Sequence, residues 1–430
     1  MKQVFQSRQI AIVVALFLIG AGLVVTIQGA LIFVRPKLTP TITPSPTMEE
    51  RLVPTPTVSG TAEGRPSAQP LAQVTRTDDA PTQMTPTPSP TPSPSPTPSI
   101  SKTPSPSPTT TPIPATATPT QQVLPGMYSA RQRIGVVVRS GLDEYDIPRL
   151  GAGWYLAGPS GENPLQSVGI EGVQGILVSG DTFSPGVADL QSIARRRPGA
   201  LWLLGNEPDV IWQGNATPQE YAKIYHDVYT LLKEADPTCR IAIGSISQVT
   251  PLRLRYLEAV LAAYLEAYGQ PMPVDVWNIH LAILREERGA WGVDIPPGLP
   301  DDTGILYEIE DNANVEILQE QVWIFRRWMA ERGLRDTPLI VTEFSVLMPP
   351  EYGFPFQTVR DFMIDAFDFL LTARDSELGY PADGNRLVQR FAWYSVADTV
   401  YYTGNLFDPE TGQITPLGRA FAEFVAGLAP

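Results

Sequence analysis

Residues 200–209, ALWLLGNEPD, restrict the possible folds more than any other stretch of this chain. Leu201, Trp202, Leu203 and Leu204 run on without polar alternation, the pattern of a strand buried on both faces. Strands of that kind belong to parallel sheets covered by helices. The run stops at Gly205-Asn206-Glu207-Pro208. In parallel α/β folds the C-terminal end of a strand is where the backbone leaves the core and a polar side chain can meet a substrate. A second run, LIVTEF at residues 339–344, has the same form and breaks at Glu343. Two strand-end glutamates suggest a working carboxylate pair.

The rest of the C-terminal part supplies the partners such strands need. Further strand candidates are residues 133–138 (RIGVVV), 154–157, 175–179, 240–245, 274–280 and 390–396. Helix signals fall between them. Residues 187–197 read as helical, and Thr217-Pro218-Gln219-Glu220 is a capping box with proline at the first helical position. Tyr221, Ile224, Tyr225, Val228 and Leu232 follow at helical spacing, and His226 falls off that stripe, toward solvent. Thr250-Pro251 opens a helix that ends near Gly269, another runs through Trp323 and Trp328, and Thr415-Pro416 starts the last. Val359, Phe362, Met363, Ala366, Phe367 and Leu370 form one more amphipathic stripe. Eight strands alternating with helices over about 300 residues predict a (β/α)8 TIM barrel. The alternative is an open doubly wound sheet. If it bound a nucleotide, that fold would normally show a glycine-rich phosphate turn after an early strand, and the sequence has none.

The N-terminal part is of another kind. About half of the 45 prolines fall between Pro36 and Pro125, in a tract that is mostly Pro, Thr and Ser. Such a tract cannot build a core and predicts a disordered, extended linker over residues 36–127, about 3.1 Å per residue where polyproline-like. Residues 10–34 are an apolar run with Gln28 as the one strongly polar member, long enough to cross about 30 Å of hydrocarbon. No small-residue cleavage site stands out after Val34, so residues 1–35 read as an uncleaved single-pass membrane anchor, the C-terminal domain (residues 128–430) lying outside the cell. The formal charge of -14, without an extended basic cluster, argues against a nucleic-acid partner. Cys239 is the single cysteine and the histidines are His226 and His280. A Cys/His zinc site is therefore not expected, nor is a cofactor.

Two facing carboxylates suit glycoside hydrolysis, where one stays protonated to protonate the leaving oxygen and the other is ionised to attack the anomeric carbon or stabilise its positive charge. Their mutual repulsion helps to separate their pKa values. His280, at the end of the sixth strand, and flat aromatic rings near the predicted mouth, Trp154, Trp212, Trp291, Tyr401 and Tyr402, are candidates for contacts with a sugar.

These residues also carry a resemblance. GNEPD and VTEF resemble the acid/base and nucleophile motifs of the clan A glycoside hydrolases, (β/α)8 barrels that retain configuration. LGAGWY (residues 150–155) and WLLGNEPD resemble the glycosyl hydrolase catalytic core of family 128, and NLFDPETGQITPLGRAF resembles the closing segment of many clan A enzymes. The resemblance implies that Glu207 is the acid/base, Glu343 the nucleophile, Asn206 a ligand of the sugar 2-hydroxyl and Trp393 a sugar platform, with a β-linked glucan, as polysaccharide or oligosaccharide, for substrate. The family pattern departs at strand six, where His280 is followed by Leu281 and Ala282 rather than by a tyrosine two residues on. Tyr256, Tyr401 and Tyr402 are the candidates for its place. A surface carbohydrate-binding protein on the same barrel, without catalysis, is the other function these features allow.

Overall fold

The computed structural model describes residues 127–139, 141–159 and 164–428. The expected anchor and the expected linker up to residue 126 lie outside the described residues. Among those described, no helix is long and apolar enough to cross a membrane.

Nine strands form one sheet: β1 (Ile134–Val138), β2 (Trp154–Pro159), β3 (Glu171–Ser179), β4 (Thr182–Ser184), β5 (Leu201–Asn206), β6 (Arg240–Ser245), β7 (Trp277–His280), β8 (Leu339–Phe344) and β9 (Arg390–Trp393). Their order is β6-β5-β3-β2-β1-β9-β8-β7, every pair along this path being parallel. Parallel bridges Ala242↔Val276 and Ile246↔Ile279 bring β6 to β7. Eight parallel strands thus form a nearly closed barrel, in agreement with the alternation read from the sequence. The ninth, β4, is a three-residue hairpin partner of β3. It is too short for periodicity to reveal.

After the single-turn α1 (Ala130–Arg133), the helices are α2 (Val187–Arg196), α3 (Pro218–Ala235), α4 (Pro251–Tyr268), α5 (Val315–Glu331), α6 (Phe356–Thr372) and α7 (Pro416–Ala426). The helix starts follow the cap signals. The Thr217 hydroxyl accepts from the Glu220 amide while the Glu220 carboxylate accepts from the Thr217 amide at 2.8 Å, and Thr250 and Thr415 cap α4 and α7. The regular pattern fails after β1 and β2, where short 3-10 turns, Ile147–Leu150 and Pro164–Val168, stand in place of helices.

Two apolar clusters hold the fold. The larger lies between strands and helices, and the smaller fills the barrel with Val137, Trp154, Val173, Leu201, Leu203, Ala242, Val276, Ile340, Ala392 and Tyr394. Alternation sorts each strand between them: Leu201 and Leu203 point in, Trp202 and Leu204 out. Trp393 also points out. It is fully buried among Phe344, Phe362 and Phe367, and its Nε1 donates to the Gly404 carbonyl at 2.8 Å. The expected sugar platform is thus core filling between β9 and α6, because a strand buried on both faces does not reveal its inward parity. Trp154 is likewise displaced from its expected place. It begins β2 at the N-terminal end of the barrel, 1 % exposed, with its Nε1 donating to the Arg133 carbonyl at 3.2 Å and Arg390 4.7 Å from its ring centroid.

Candidate active site

Glu207 follows the last residue of β5. Gly205 has φ 99° and Glu207 itself φ 41°, a left-handed conformation that a glutamate adopts at a cost of about 1–3 kcal/mol. The conformation is held by the turn it begins: the Glu207 carbonyl accepts from the amides of Val210 and Gly214, both at 3.1 Å. The turn swings the carboxylate into the barrel mouth.

Glu343 reaches the same place by another device. The register of β7 against β8 shifts between Ile279 and His280, and that of β8 against β9 between Val341 and Phe344. The irregularity lets the successive side chains Thr342 and Glu343 both approach His280. His280, at the end of β7, joins the three. Its Nδ1 is 2.8 Å from Glu207 Oε1 and 3.9 Å from Glu343 Oε2, and its Nε2 is 2.8 Å from Ser245 Oγ and 3.1 Å from Thr342 Oγ1. The two glutamate oxygens are therefore no further apart than the two Nδ1 distances laid end to end. Thr342 in turn donates to Asn278 Oδ1 at 2.9 Å, the Asn278 amide being oriented with its oxygen toward Thr342.

Electrostatics couples the group. Burial pulls the pKa of His280 down, but Glu343, the hydrogen bond the imidazole donates to Glu207 and the charge of Glu207 outweigh it, so the imidazole holds its proton above the ordinary range. Burial is the largest influence on Glu343 and raises its pKa; His280 and Arg139 lower it, while Glu207 and Asp398 add to the rise. His280 is almost fully buried, whereas the side chains of Glu207 and Glu343 are 15 % and 20 % exposed. The carboxylates face open space while the imidazole sits behind them.

That space is a small cleft open to solvent at the barrel mouth. Its lining includes Asn206, Glu207, Trp212, His280, Glu343 and Tyr401, all singled out from the sequence. Trp393, Trp154, Trp291 and Tyr402 are not part of it. Of the tyrosines considered for the strand-six position, Tyr256 is buried with its hydroxyl donating to the Ala216 carbonyl, and Tyr402 is 44 % exposed; Tyr401 alone of the three reaches the cleft. Among the described residues no group of three or more His, Cys, Asp or Glu side chains could hold a metal ion.

Two further lining residues, Arg139 and Tyr394, were missed. Each directly follows a barrel strand, β1 and β9, so the strand-end rule that selects the glutamates would have found both. Asp398 ties them together: its Oδ2 accepts from the Tyr394 hydroxyl at 2.6 Å and lies 3.4 Å from Arg139 Nε, while its Oδ1 accepts from the Tyr401 amide at 3.0 Å. Burial first, with Asp398 and Glu343 adding to it, holds the Tyr394 hydroxyl protonated well above its usual range.

No protein-family model and no curated protein matches the chain. Among solved structures it is similar to a GH128 (subgroup II) endo-beta-1,3-glucanase from Sorangium cellulosum, at 17 % identity over 67 % of this chain and 97 % of that one, TM-score 0.45. It is similar to the corresponding enzyme from Pseudomonas viridiflava at 19 % identity over 67 % and 96 %, TM-score 0.46. A glucosidase from Croceicoccus marinus aligns at 13 % identity over 71 % and 69 %, TM-score 0.48.

Proposed function

We propose that this chain is a retaining glycoside hydrolase that cleaves a β-linked glucan outside the cell, anchored to the membrane by residues 10–34 and spaced from it by residues 36–127. One observation carries the catalytic part: two strand-end glutamates meet in one cleft across a single imidazole nitrogen, at 2.8 and 3.9 Å. The choice of a glucan rests on the sequence resemblance alone.

The hydrogen bonds around His280 support Glu207 as the acid. With Thr342 donating to Asn278, its oxygen can accept from His280 Nε2. A neutral His280 then carries its hydrogen on Nε2 and turns the Nδ1 lone pair toward Glu207. One proton is shared across the 2.8 Å contact between Glu207 Oε1 and Nδ1. That proton is available to the leaving oxygen. Glu343, once ionised, attacks the anomeric carbon from the opposite face; the carbon–oxygen bond to the leaving group breaks as the glycosyl ester forms. Water, losing a proton to Glu207, then cleaves the ester. A direct displacement by water needs carboxyls about 6.5–9.5 Å apart, and the two contacts through His280 keep the oxygens they involve within reach of the short end of that range rather than its middle, which favours the closer, retaining arrangement.

The test is release of reducing ends from a panel of α- and β-linked glucans by the full-length protein, beside its Glu207→Gln and Glu343→Gln variants. Release from a β-glucan that both variants lose supports the reading. A native protein that is retained on an insoluble glucan and releases nothing would make it a binding protein instead.

A further inference from the structure

Behind the cleft, and outside its lining, lies a buried ion cluster to which neither the acid/base nor the nucleophile belongs. Arg253, in the first turn of α4, is fully buried, as are Asp209 and Glu286. All five of its N–H groups are used. Nε donates to Glu286 Oε1 at 3.0 Å; Nη1 donates to Asp209 Oδ2 at 3.0 Å and to the Asp209 carbonyl; Nη2 donates to the carbonyls of Val293, at 3.0 Å, and Asp294. The carboxylates are themselves tied down. Asp209 accepts from the Ser247 amide and hydroxyl, and Glu286 accepts from the Thr250 hydroxyl at 2.7 Å and the Ile305 amide at 2.8 Å.

The placement of these groups matters more than their number. Asp209 stands two residues after Glu207, across Pro208, whose ring leaves little backbone freedom between them. The loop from Glu207 carries Trp212 in the cleft wall, and the long loop after β7 carries Val293 in the same wall. Arg253 therefore bonds both loops at once and from behind. The left-handed Glu207 is held on one side by its own turn and on the other by the anchored Asp209. A guanidinium is suited to this task, because its planar fork fixes directions that a lysine ammonium does not.

We propose that Arg253, acting through Asp209, is a positioning residue for proton donation: it sets the place of the Glu207 carboxyl without touching the substrate. This rests on the assignment of Glu207 as the acid. A displaced acid has a particular signature. Departure of a strongly basic leaving group needs the proton, whereas departure of a very acidic phenol does not. A loss of positioning thus shows in poor leaving groups and spares good ones, while a general loss of folded protein lowers both equally.

The experiment measures kcat/KM of the full-length protein on a series of aryl β-glycosides, from 2,4-dinitrophenyl to unsubstituted phenyl, with Asp209→Asn, Arg253→Lys and Glu207→Gln compared with the native chain. The folded fraction of each variant is measured by its thermal melt and the rates are expressed per folded protein, because Asp209→Asn leaves the buried Arg253 without one of its carboxylates. The expected result is at least a tenfold loss for Asp209→Asn on the phenyl glycoside with less than a twofold loss on the dinitrophenyl one, Glu207→Gln showing the same tilt more steeply. An equal loss across the series, or none, for Asp209→Asn and Arg253→Lys while Glu207→Gln is steep overturns the positioning role and leaves the acid assignment standing. A native series with no tilt in Glu207→Gln removes the acid assignment and the positioning role with it.

Discussion

At the N-terminal end of the barrel, Trp154 lies against Arg390, and Arg133 makes a two-point ion pair with Asp383 at 2.6 and 2.7 Å. At the C-terminal end, Glu207, His280 and Glu343 meet beside Trp212, Tyr394 and Arg139. Both ends bring aromatic and charged residues together, so composition does not separate them. Geometry does. The Arg133 and Asp383 side chains are 2 % and 0 % exposed and satisfy each other, whereas the two glutamates face open space and share one imidazole neighbour rather than a fixed counter-ion. Charge that is neutralised where it is buried stabilises structure; charge crowded with like charge at an open strand end is available for chemistry.

The sharpest way to break this contrast is to remove one charge from each end. Glu343→Gln is expected to lower kcat by on the order of 10²–10⁴ or more, the scale of losing a central catalytic group, with the melting temperature little changed. At the other end Arg133→Ala leaves a buried, unpaired Asp383, so unfolding free energy should fall by about 3–5 kcal/mol in denaturant titration while kcat of the folded fraction stays as it was. The tryptophans divide the same way. Trp154→Ala is expected to cost about 3–5 kcal/mol of stability and to leave KM alone, whereas Trp212→Ala, in the cleft wall, should raise KM by roughly two- to tenfold, equivalent to about 0.5–1.5 kcal/mol of ring stacking, with a smaller effect on melting. If Trp154→Ala changed KM and Trp212→Ala did not, the division between the ends would be misplaced.

The smallest expected effect is a displacement along the pH axis. In the proposed mechanism Glu343 must be ionised to attack, and burial raises its pKa above that of an ordinary carboxylate. The acidic limb of kcat/KM against pH should accordingly lie above that of an ordinary glutamate. Arg139 lowers the pKa of Glu343, so Arg139→Met should move the limb to still higher pH. A limb that moved downward in this variant would show that Arg139 does not act on Glu343.

Much of the scaffold could be read because its signals are local. Thr217 to Glu220 announces a helix start through backbone donors that need a cap, and four consecutive apolar residues at Leu201 announce a strand covered on both sides. The same property hid other features. A doubly buried strand has no polar face, so nothing in RFAWYS tells which of Trp393 and Tyr394 points inward; only the register of β9 against β1 decides it. His280 could be placed at the end of β7, but its role between two glutamates depends on a register shift in β8 that no periodicity records. Asp209, Arg253 and Glu286 are brought together from two loops and a helix start, across 44 and 33 residues from Arg253. Such a cluster has no local pattern to find.

The most direct test of the carboxylate pair is to trap the ester it would form. The full-length protein is incubated with a 2-deoxy-2-fluoro β-glycoside of its own sugar bearing a dinitrophenyl leaving group, then digested and mapped by mass spectrometry. The expected result is one sugar residue added per chain, on the peptide that contains Glu343, with activity lost in step with labelling. Continued turnover of the natural glucan with an inverted anomeric product, and no label on Glu343, would contradict the assignment.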